Sequence, residues 1–264
     1  NNKDSYDHYL GKTSSMFQMA AAAGIIIGGI IATRSFSIIM WLSVIPQVIC
    51  LMLSFFIVEP TKQSRQSANI YSHLITATKK LWSNNTLKLL SLNSIIGQAV
   101  GESTYQFRAA FVNTLWPLWA VGFSTVLSSI GAAASYWYSA KLIKKIGAYR
   151  LLLIANLYSK TINIASVAVA TVISPVLMST TSLFLGVSKV ANSKLMQQEF
   201  TDEQRATLGS ITSFLGNLAF SVFAVVLGIL ADRFGPTKAL LFAYLSYLPS
   251  LGINWVLYKD NKNG

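Results

Sequence analysis

The chain has 264 residues, of which 53% are hydrophobic and only 11% are charged, and its mean hydropathy is +0.49. A soluble domain carries about 25% charged residues, so this composition excludes an ordinary water-soluble globule. The net charge of +12 does not indicate nucleic-acid binding, because no basic stripe with interleaved aromatic residues lies outside the apolar stretches.

Eight stretches of the chain are long and apolar enough to cross a bilayer, which takes about 20 such residues. In chain order they cover residues 16–33, 36–58, 87–107, 115–140, 150–172, 175–196, 206–231 and 239–258. The third and the sixth stretch carry charged residues. The sequence therefore predicts an all-α, polytopic membrane protein with eight transmembrane helices.

Lysine and arginine are distributed unevenly between the segments that join these stretches. With the N-terminus placed inside, sixteen of them lie in or beside inner segments and four on the outer side, while Lys160 lies within a span. Inner loops of membrane proteins are enriched in lysine and arginine. This division predicts a multi-pass protein of the plasma (inner) membrane with both termini in the cytoplasm.

The longest inner segment, residues 59–86, separates the first two predicted helices (residues 1–58) from the last six (residues 87–264). Its apolar residues recur at helical spacing: Ile70, Leu74, Ile75, Leu81 and Trp82. This pattern is typical of an amphipathic helix lying along the membrane surface. A solvated linker is the alternative.

A short internal repeat links the first and last pairs of spans. The segment GIIATR at residues 29–34 resembles GILADR at residues 228–233, an offset of 199. Parallel repeats of transmembrane helices are a common construction of secondary transporters. The equivalent of the third span lies upstream of residue 1 at this offset, so the repeat predicts about four preceding helices. The 264-residue chain is then not expected to transport by itself.

Two helices, a long inner segment and six further helices resemble the fifth to twelfth helices of the major facilitator superfamily, over nearly the whole chain. Residues 24–29, GIIIGG, resemble the antiporter motif G-P-x-x-G-G, with Ile25 in place of the proline. The matching residues are Gly24, Gly28 and Gly29. Glycines spaced in this way also let another helix approach closely.

Two further motifs carry the resemblance. Residues 228–235, GILADRFG, match the family loop G-x-x-x-D-R-x-G at Gly228, Asp232, Arg233 and Gly235. The related segment at residues 144–147, KKIG, has a lysine where the family has an acid, which puts its role as a conformational latch in doubt. The segment EQRAT at residues 203–207 resembles a family stretch at an inner helix end, where Arg205 would hold inner-face contacts; an anchor of membrane orientation is the alternative.

The resemblance implies a twelve-helix transporter of two bundles, monomeric at full length, that works by alternating access. Its closest functional type is a drug/proton antiporter, so we expect proton-coupled efflux of a small molecule. Its expected partners are this substrate, protons and the lipid bilayer, without a cofactor. The alternatives are an uptake permease for a sugar or metabolite, a membrane-bound enzyme or a membrane scaffold. No paired carboxylates or nucleophile–base spacing favours an enzyme.

Glu102 is the main candidate for proton coupling. An ionisable residue inside a span costs at least ~2.5 kcal/mol and is a functional candidate for that reason. Asn93, Gln98, Tyr105 and Arg108 lie on the same predicted helix and are candidates for lining a substrate cavity. The alternative role of Glu102 is a structural ion pair with Arg108.

Lys160 lies near the middle of the fifth predicted span. It shares helical spacing with Asn156 and Asn163, so the three form a polar stripe that should face the protein interior. We interpret this stripe as a structural hydrogen-bonded seam.

Neither a nucleotide site nor a metal site is expected. The segment GKT at residues 11–13 resembles the end of a phosphate-binding loop, but Tyr6 stands where that loop needs its first glycine. Cys50 is the only cysteine, and His8 and His73 are far apart in the sequence.

Overall fold

A computed structural model describes residues 3–32, 34–57, 75, 78, 79, 81–199 and 205–263. Within these ranges the chain is helical apart from short connections, and no strand occurs. The longer helices are α1 (Lys3–Ala32), α2 (Phe36–Ser54), α3 (Asn85–Asn113), α4 (Leu118–Ile146), α5 (Ala148–Val169), α6 (Ser174–Thr180), α7 (Leu185–Glu199), α8 (Arg205–Phe234), α9 (Pro236–Ser246) and α10 (Pro249–Asn263), with a 3₁₀ turn at Thr181–Phe184 between α6 and α7.

Six segments of the described chain are long and apolar enough to cross a membrane. They are Tyr6–Ala32, Phe36–Ser54, Leu118–Ile146, Ala148–Val169, Thr207–Phe234 and Pro236–Lys262. The prediction of an all-helical, multi-pass membrane protein is therefore supported, but the count of eight is not. The predicted span 87–107 lies in α3, which has the length but is too polar, and the predicted span 175–196 is divided between α6, the 3₁₀ turn and α7.

Local sequence signals define several helix ends. Ser35 caps α2 by accepting a hydrogen bond from the Ile38 amide, and Asn84 caps α3 by accepting one from the Leu87 amide at 3.0 Å. The Asn84 amide also donates to Glu199 at 2.7 Å and so ties the start of α3 to the end of α7. Prolines stand in the first turn of α6 and α9, where a missing N–H costs nothing.

The least apolar long helix, α3, lies among other helices. It packs mainly against α8 and α9 and also touches α7, α10 and α4. Apolar side chains from α3 enter three separate hydrophobic clusters, represented by Leu87 and Leu90, by Phe111 and Val112, and by Val100. A helix with many polar residues is sheltered from lipid when its neighbours surround it in this way.

Helix α1 begins at Lys3, well before the predicted start at Met16. The additional turns are polar but packed, because Asp7, Gly11 and Ser15 recur every fourth residue and are all buried. Asp7 forms an ion pair with Lys194 of α7 at 2.5 Å, and the Ser15 hydroxyl donates to the Ala133 carbonyl of α4 at 2.8 Å. A hydropathy window misses turns of this kind because their contacts are polar.

The predicted interfacial helix lies mostly outside the described residues, including Ile70 and Leu74. Of its described members, Leu81 is buried in the cluster around Leu87, whereas Ile75 and Trp82 are exposed. The prediction of a surface helix over residues 59–86 therefore stays a prediction.

Candidate functional site

The candidate site is a polar stripe along α3, formed by Ser94, Gln98, Glu102, Tyr105 and Arg108. These residues are spaced by three or four positions and lie within an arc of about 120° around the helix, with Glu102 and Arg108 at its two edges. Tyr105 is 57% exposed, and the other four are partly exposed. The α3 polar stripe is thus accessible over much of its length, and the space beside it is called the groove below. The buried Leu87, Leu90 and Val112 continue the same face at the two ends of the helix, whereas Val100 and Phe111 lie on another side.

A cluster of amides lies at the beginning of the stripe. Asn93 donates to Asn192 of α7 and accepts from Asn254 of α10, each at 3.4 Å. Asn192 in turn donates to Ser94 at 2.7 Å. The predicted cavity residue Asn93 therefore joins three helices, and its own hydrogen-bonding groups are engaged by them.

The middle of the stripe, at Gln98 and Glu102, makes few hydrogen bonds with other helices. Gln98 donates to Asn217 of α8 at 3.3 Å, whereas Glu102 makes no hydrogen bond or ion pair with any described residue. A Cβ placed on Gly101, the neighbour of Glu102, would meet no described atom within 4 Å. The carboxylate lies within electrostatic range of the hydroxyl groups of Tyr136 and Tyr247. Open space and an unpaired carboxylate therefore occur together at this level.

Arg108 does not serve as the partner of Glu102. Its guanidinium donates to the Ser179 hydroxyl at 2.8 Å and to the Pro175 carbonyl at 3.3 Å, both on α6. Positions 102 and 108 are six residues apart, so their side chains diverge around the helix by about 120°. Arg108 anchors α6 to α3, and the ion pair considered from the sequence is not formed.

Lys160 is the most buried cation of the described core. Its side chain is 3% exposed, and Nζ donates to Asn156 Oδ1 at 2.6 Å. The ammonium also lies 3.9 Å from the centroid of the Tyr247 ring, in the turn between α9 and α10. The hydroxyl of Tyr247 reaches α3, 3.2 Å from where a Cβ on Gly97 would be. Tyr247 therefore connects Lys160 with the α3 polar stripe.

The predicted polar seam on α5 runs along the helix itself. Asn156 donates to the Leu152 carbonyl one turn earlier, at 2.9 Å. Asn163 is partly exposed and has no hydrogen bond to a described residue. Among these three, only Lys160 makes a side-chain polar contact outside α5, with the Tyr247 ring. Lys160 is buried, whereas Asn156 and Asn163 are partly exposed, and the hydrogen bonds of the stripe do not join α5 to a neighbouring helix.

The glycines of the antiporter-like segment have no close neighbour. A Cβ added to Gly24, Gly28 or Gly29 would meet no described atom within 4 Å. The close helix contacts lie elsewhere, at Gly11 of α1 and Gly186 of α7. A Cβ on Gly11 would lie 2.6 Å from the Tyr136 carbonyl oxygen, and one on Gly186 would overlap the Tyr136 backbone. Helices α1, α4 and α7 thus converge at Tyr136.

The loop motif at residues 228–235 has a clear backbone role at its last residue. Gly235 joins α8 to α9 with φ +83° and ψ 161°, and Gly147 joins α4 to α5 with φ +92° and ψ 144°. Only glycine adopts this region without strain. A Cβ on Gly228 would lie 3.9 Å from the Phe107 ring of α3. Asp232 and Arg233 are exposed and form no ion pair with a described residue.

Replacing Gly235 by Ala is expected to lower the free energy of unfolding by about 1–3 kcal/mol, because the added Cβ is strained at this φ and ψ. Thermal unfolding of the purified protein in detergent measures the change. Gly209→Ala is the matched control, since its Cβ would meet open space on a helix and should be neutral or stabilising by up to about 1 kcal/mol. Equal melting temperatures for the two variants would contradict the strain.

Some functional candidates lie beyond what the structure describes, and others were not predicted. The EQRAT segment lies partly outside the described residues. Glu203 and Gln204 are not described, and only the backbone of Arg205 is described, as the first residue of α8. The unpredicted residues are Asn192, Asn217, Asn254 and Tyr247. The three asparagines are polar residues within apolar stretches, the signal that identified Lys160. Nothing in the sequence distinguishes Tyr247 from other tyrosines.

Among the described residues, no group of three or more His, Cys, Asp and Glu side chains is arranged to hold a metal ion. No protein-family model matches the chain, and no curated protein matches it. The site is therefore interpreted from its own chemistry: a groove in an apolar helical bundle, lined by neutral polar groups, one unpaired carboxylate and two buried or half-buried cations.

Proposed function

We propose that this protein is a secondary active transporter that moves a small molecule through the groove along α3, driven by protons. The observation that carries the proposal is the state of Glu102: a partly exposed carboxylate with no bonded partner among the described residues, beside open space at Gly101. Ionisable residues in such positions mark substrate and proton pathways in membrane proteins.

The rest of the α3 polar stripe supports this role. Gln98 and Tyr105 present neutral hydrogen-bonding groups on either side of Glu102, and a small molecule entering the groove would meet them. The stripe continues to Arg108 at the opposite end of α3 from the Asn93 cluster. A polar path over the length of a helix is the arrangement that a solute needs to pass an apolar bundle.

The proposal includes α3 and the α6–α7 segment as membrane-crossing elements. At about 1.5 Å per residue, the 29 residues of α3 extend over roughly 43 Å, more than the ~30 Å of a hydrocarbon core. Several of its polar residues, Asn93, Gln98 and Arg108, form hydrogen bonds with other helices. With these two elements the protein has eight crossings, in the order of the major facilitator fold, and efflux by antiport is the expected direction.

The transport proposal predicts proton movement that depends on the solute. Intact protein is reconstituted in liposomes loaded with the pH-sensitive dye pyranine, and small hydrophobic cations, neutral drugs, sugars and carboxylates are added in turn outside. At least one class should change the internal pH within seconds to minutes, faster or further than in protein-free liposomes, which give the passive movement of permeant weak acids and bases. The absence of a protein-dependent pH change over all four classes would argue against proton-coupled transport of such compounds.

A further inference from the structure

The ammonium group of Lys160 is buried without a counter-charge from any described residue. Its partners, the Asn156 amide oxygen and the Tyr247 ring, are both neutral. A buried unpaired charge is strongly destabilising. Lys160 therefore lowers the stability of the fold, whereas Leu or Met at the same position would not. A polar side chain retained at such a cost is expected to have a partner in some functional state.

The neutral partners leave the charge available. An ammonium has three N–H donors, of which Asn156 uses one and the Tyr247 ring face attracts the cation from one side. Arg108 uses one guanidinium nitrogen, Nη2, for Ser179 and the Pro175 carbonyl, and its buried Nε has no partner among the described residues. Lys160 has a single hydrogen bond and therefore also has unused capacity for an anionic partner.

Tyr247 lies between Lys160 and the groove. Its ring covers the ammonium, and its hydroxyl touches α3 beside Gly97. One turn further along α3, Gly101 faces open space. Tyr247 stands in the turn between α9 and α10 and packs against the cluster that contains Val100 and Ala243, so its side chain separates Lys160 from α3.

We propose that Lys160 binds the acid group of an organic anion that enters along the α3 polar stripe, with Tyr247 closing over the ammonium when the site is empty. A single uncompensated cation fits a monocarboxylate. The apolar residues packed around Tyr247, among them Val100 and Ala243, fit an apolar body on that acid. The inference rests on the proposed function, since it names the substrate class of the same groove.

The test is a binding measurement on intact purified protein in detergent. Benzoate and octanoate are the probes, with benzamide and octanamide as uncharged counterparts at equal ionic strength. The carboxylates are expected to raise the melting temperature by roughly 5 °C well above their Kd, and the amides are not. Lys160→Met should remove the response, and Lys160→Arg should keep part of it.

A second variant keeps the test decisive if Lys160→Met fails to fold. Asn156→Asp is isosteric and places a carboxylate against the ammonium, so an internal anion takes the site. This variant should be more stable than the wild type and insensitive to benzoate. Equal shifts with benzoate and benzamide, or a carboxylate response that survives in Asn156→Asp, would overturn the proposal.

The outcome is separable from that of the transport proposal. Binding is measured without vesicles, so carboxylate-dependent stabilisation in a protein that moves no protons would leave the anion site standing and refute transport. Solute-dependent proton movement by a protein that ignores carboxylates would keep the transporter and refute the anion site.

Discussion

Glu102→Gln is expected to reduce proton-driven transport by the intact protein roughly tenfold or more, equivalent to about 1.4 kcal/mol. Glutamine keeps the shape and hydrogen-bonding capacity of the side chain but cannot load and release a proton. Solute binding and counterflow exchange, which need no proton cycle, should survive. The measurement is solute accumulation in liposomes under an imposed pH gradient, compared with counterflow in the same preparation.

The structure makes this substitution a clean test. Glu102 has no hydrogen bond or ion pair with a described residue, so its replacement breaks no contact, and stability should change by no more than about 0.5 kcal/mol. Asp260→Asn is the matched control, because it removes an exposed carboxylate near the end of α10, outside the α3 polar stripe, and should leave transport unchanged. Normal gradient-driven transport by a stably folded Glu102→Gln protein would eliminate the coupling role.

Gly186→Ala is expected to destabilise the protein by about 3 kcal/mol or more, at the upper end of what overpacking costs. The new Cβ would overlap the backbone nitrogen and Cα of Tyr136, and backbone atoms cannot rotate away as a flexible side chain can. Helices α4 and α7 would have to separate. A lower melting temperature and reduced yield of folded protein in detergent measure the effect.

Gly122→Ala is the control for this contact. Gly122 lies within α4, and a Cβ there would meet no described atom within 4 Å, so the change should be neutral or slightly stabilising through helix propensity. If Gly186→Ala melted at the same temperature as Gly122→Ala, the close approach of α7 to Tyr136 would be wrong.

Much of the architecture follows from the sequence, for identifiable reasons. Low charge and long apolar stretches leave a helix in a bilayer as the only way to satisfy the backbone, so the membrane class and six of the eight predicted spans agree with the structure. The two exceptions, in α3 and in α6–α7, are the segments whose hydropathy is lowered by polar residues. Some of these, such as Ser103 and Ser179, are buried between helices, whereas Lys189 is exposed, and a linear window cannot distinguish the two.

The residues of the α3 polar stripe could also be selected from the sequence, because helical spacing alone places Gln98, Glu102 and Tyr105 on one face. What that face meets depends on the neighbouring helices. From the sequence, Glu102 was a possible partner for Arg108, but the packing of α6 against α3 pairs Arg108 with Ser179 and the Pro175 carbonyl instead. The spacing of glycines likewise predicts a surface that another helix can approach, but not whether a helix packs there. A Cβ on Gly24 or Gly28 would meet no described atom within 4 Å, whereas Gly11 and Gly186 lie close to Tyr136.

Tyr247 shows most clearly the difference between what the sequence determines and what the tertiary structure determines. The sequence alone identified Lys160 as a cation in an apolar span, since composition and position are enough to recognise a costly charge. An aromatic ring 87 positions later lies over this ammonium. The turn between α9 and α10 determines this contact, because it brings the ring between α5 and α3. Local sequence determines which residues share a face of a single helix. Which faces contact each other is determined by the simultaneous packing of several helices, and the chemistry of this site depends on those contacts.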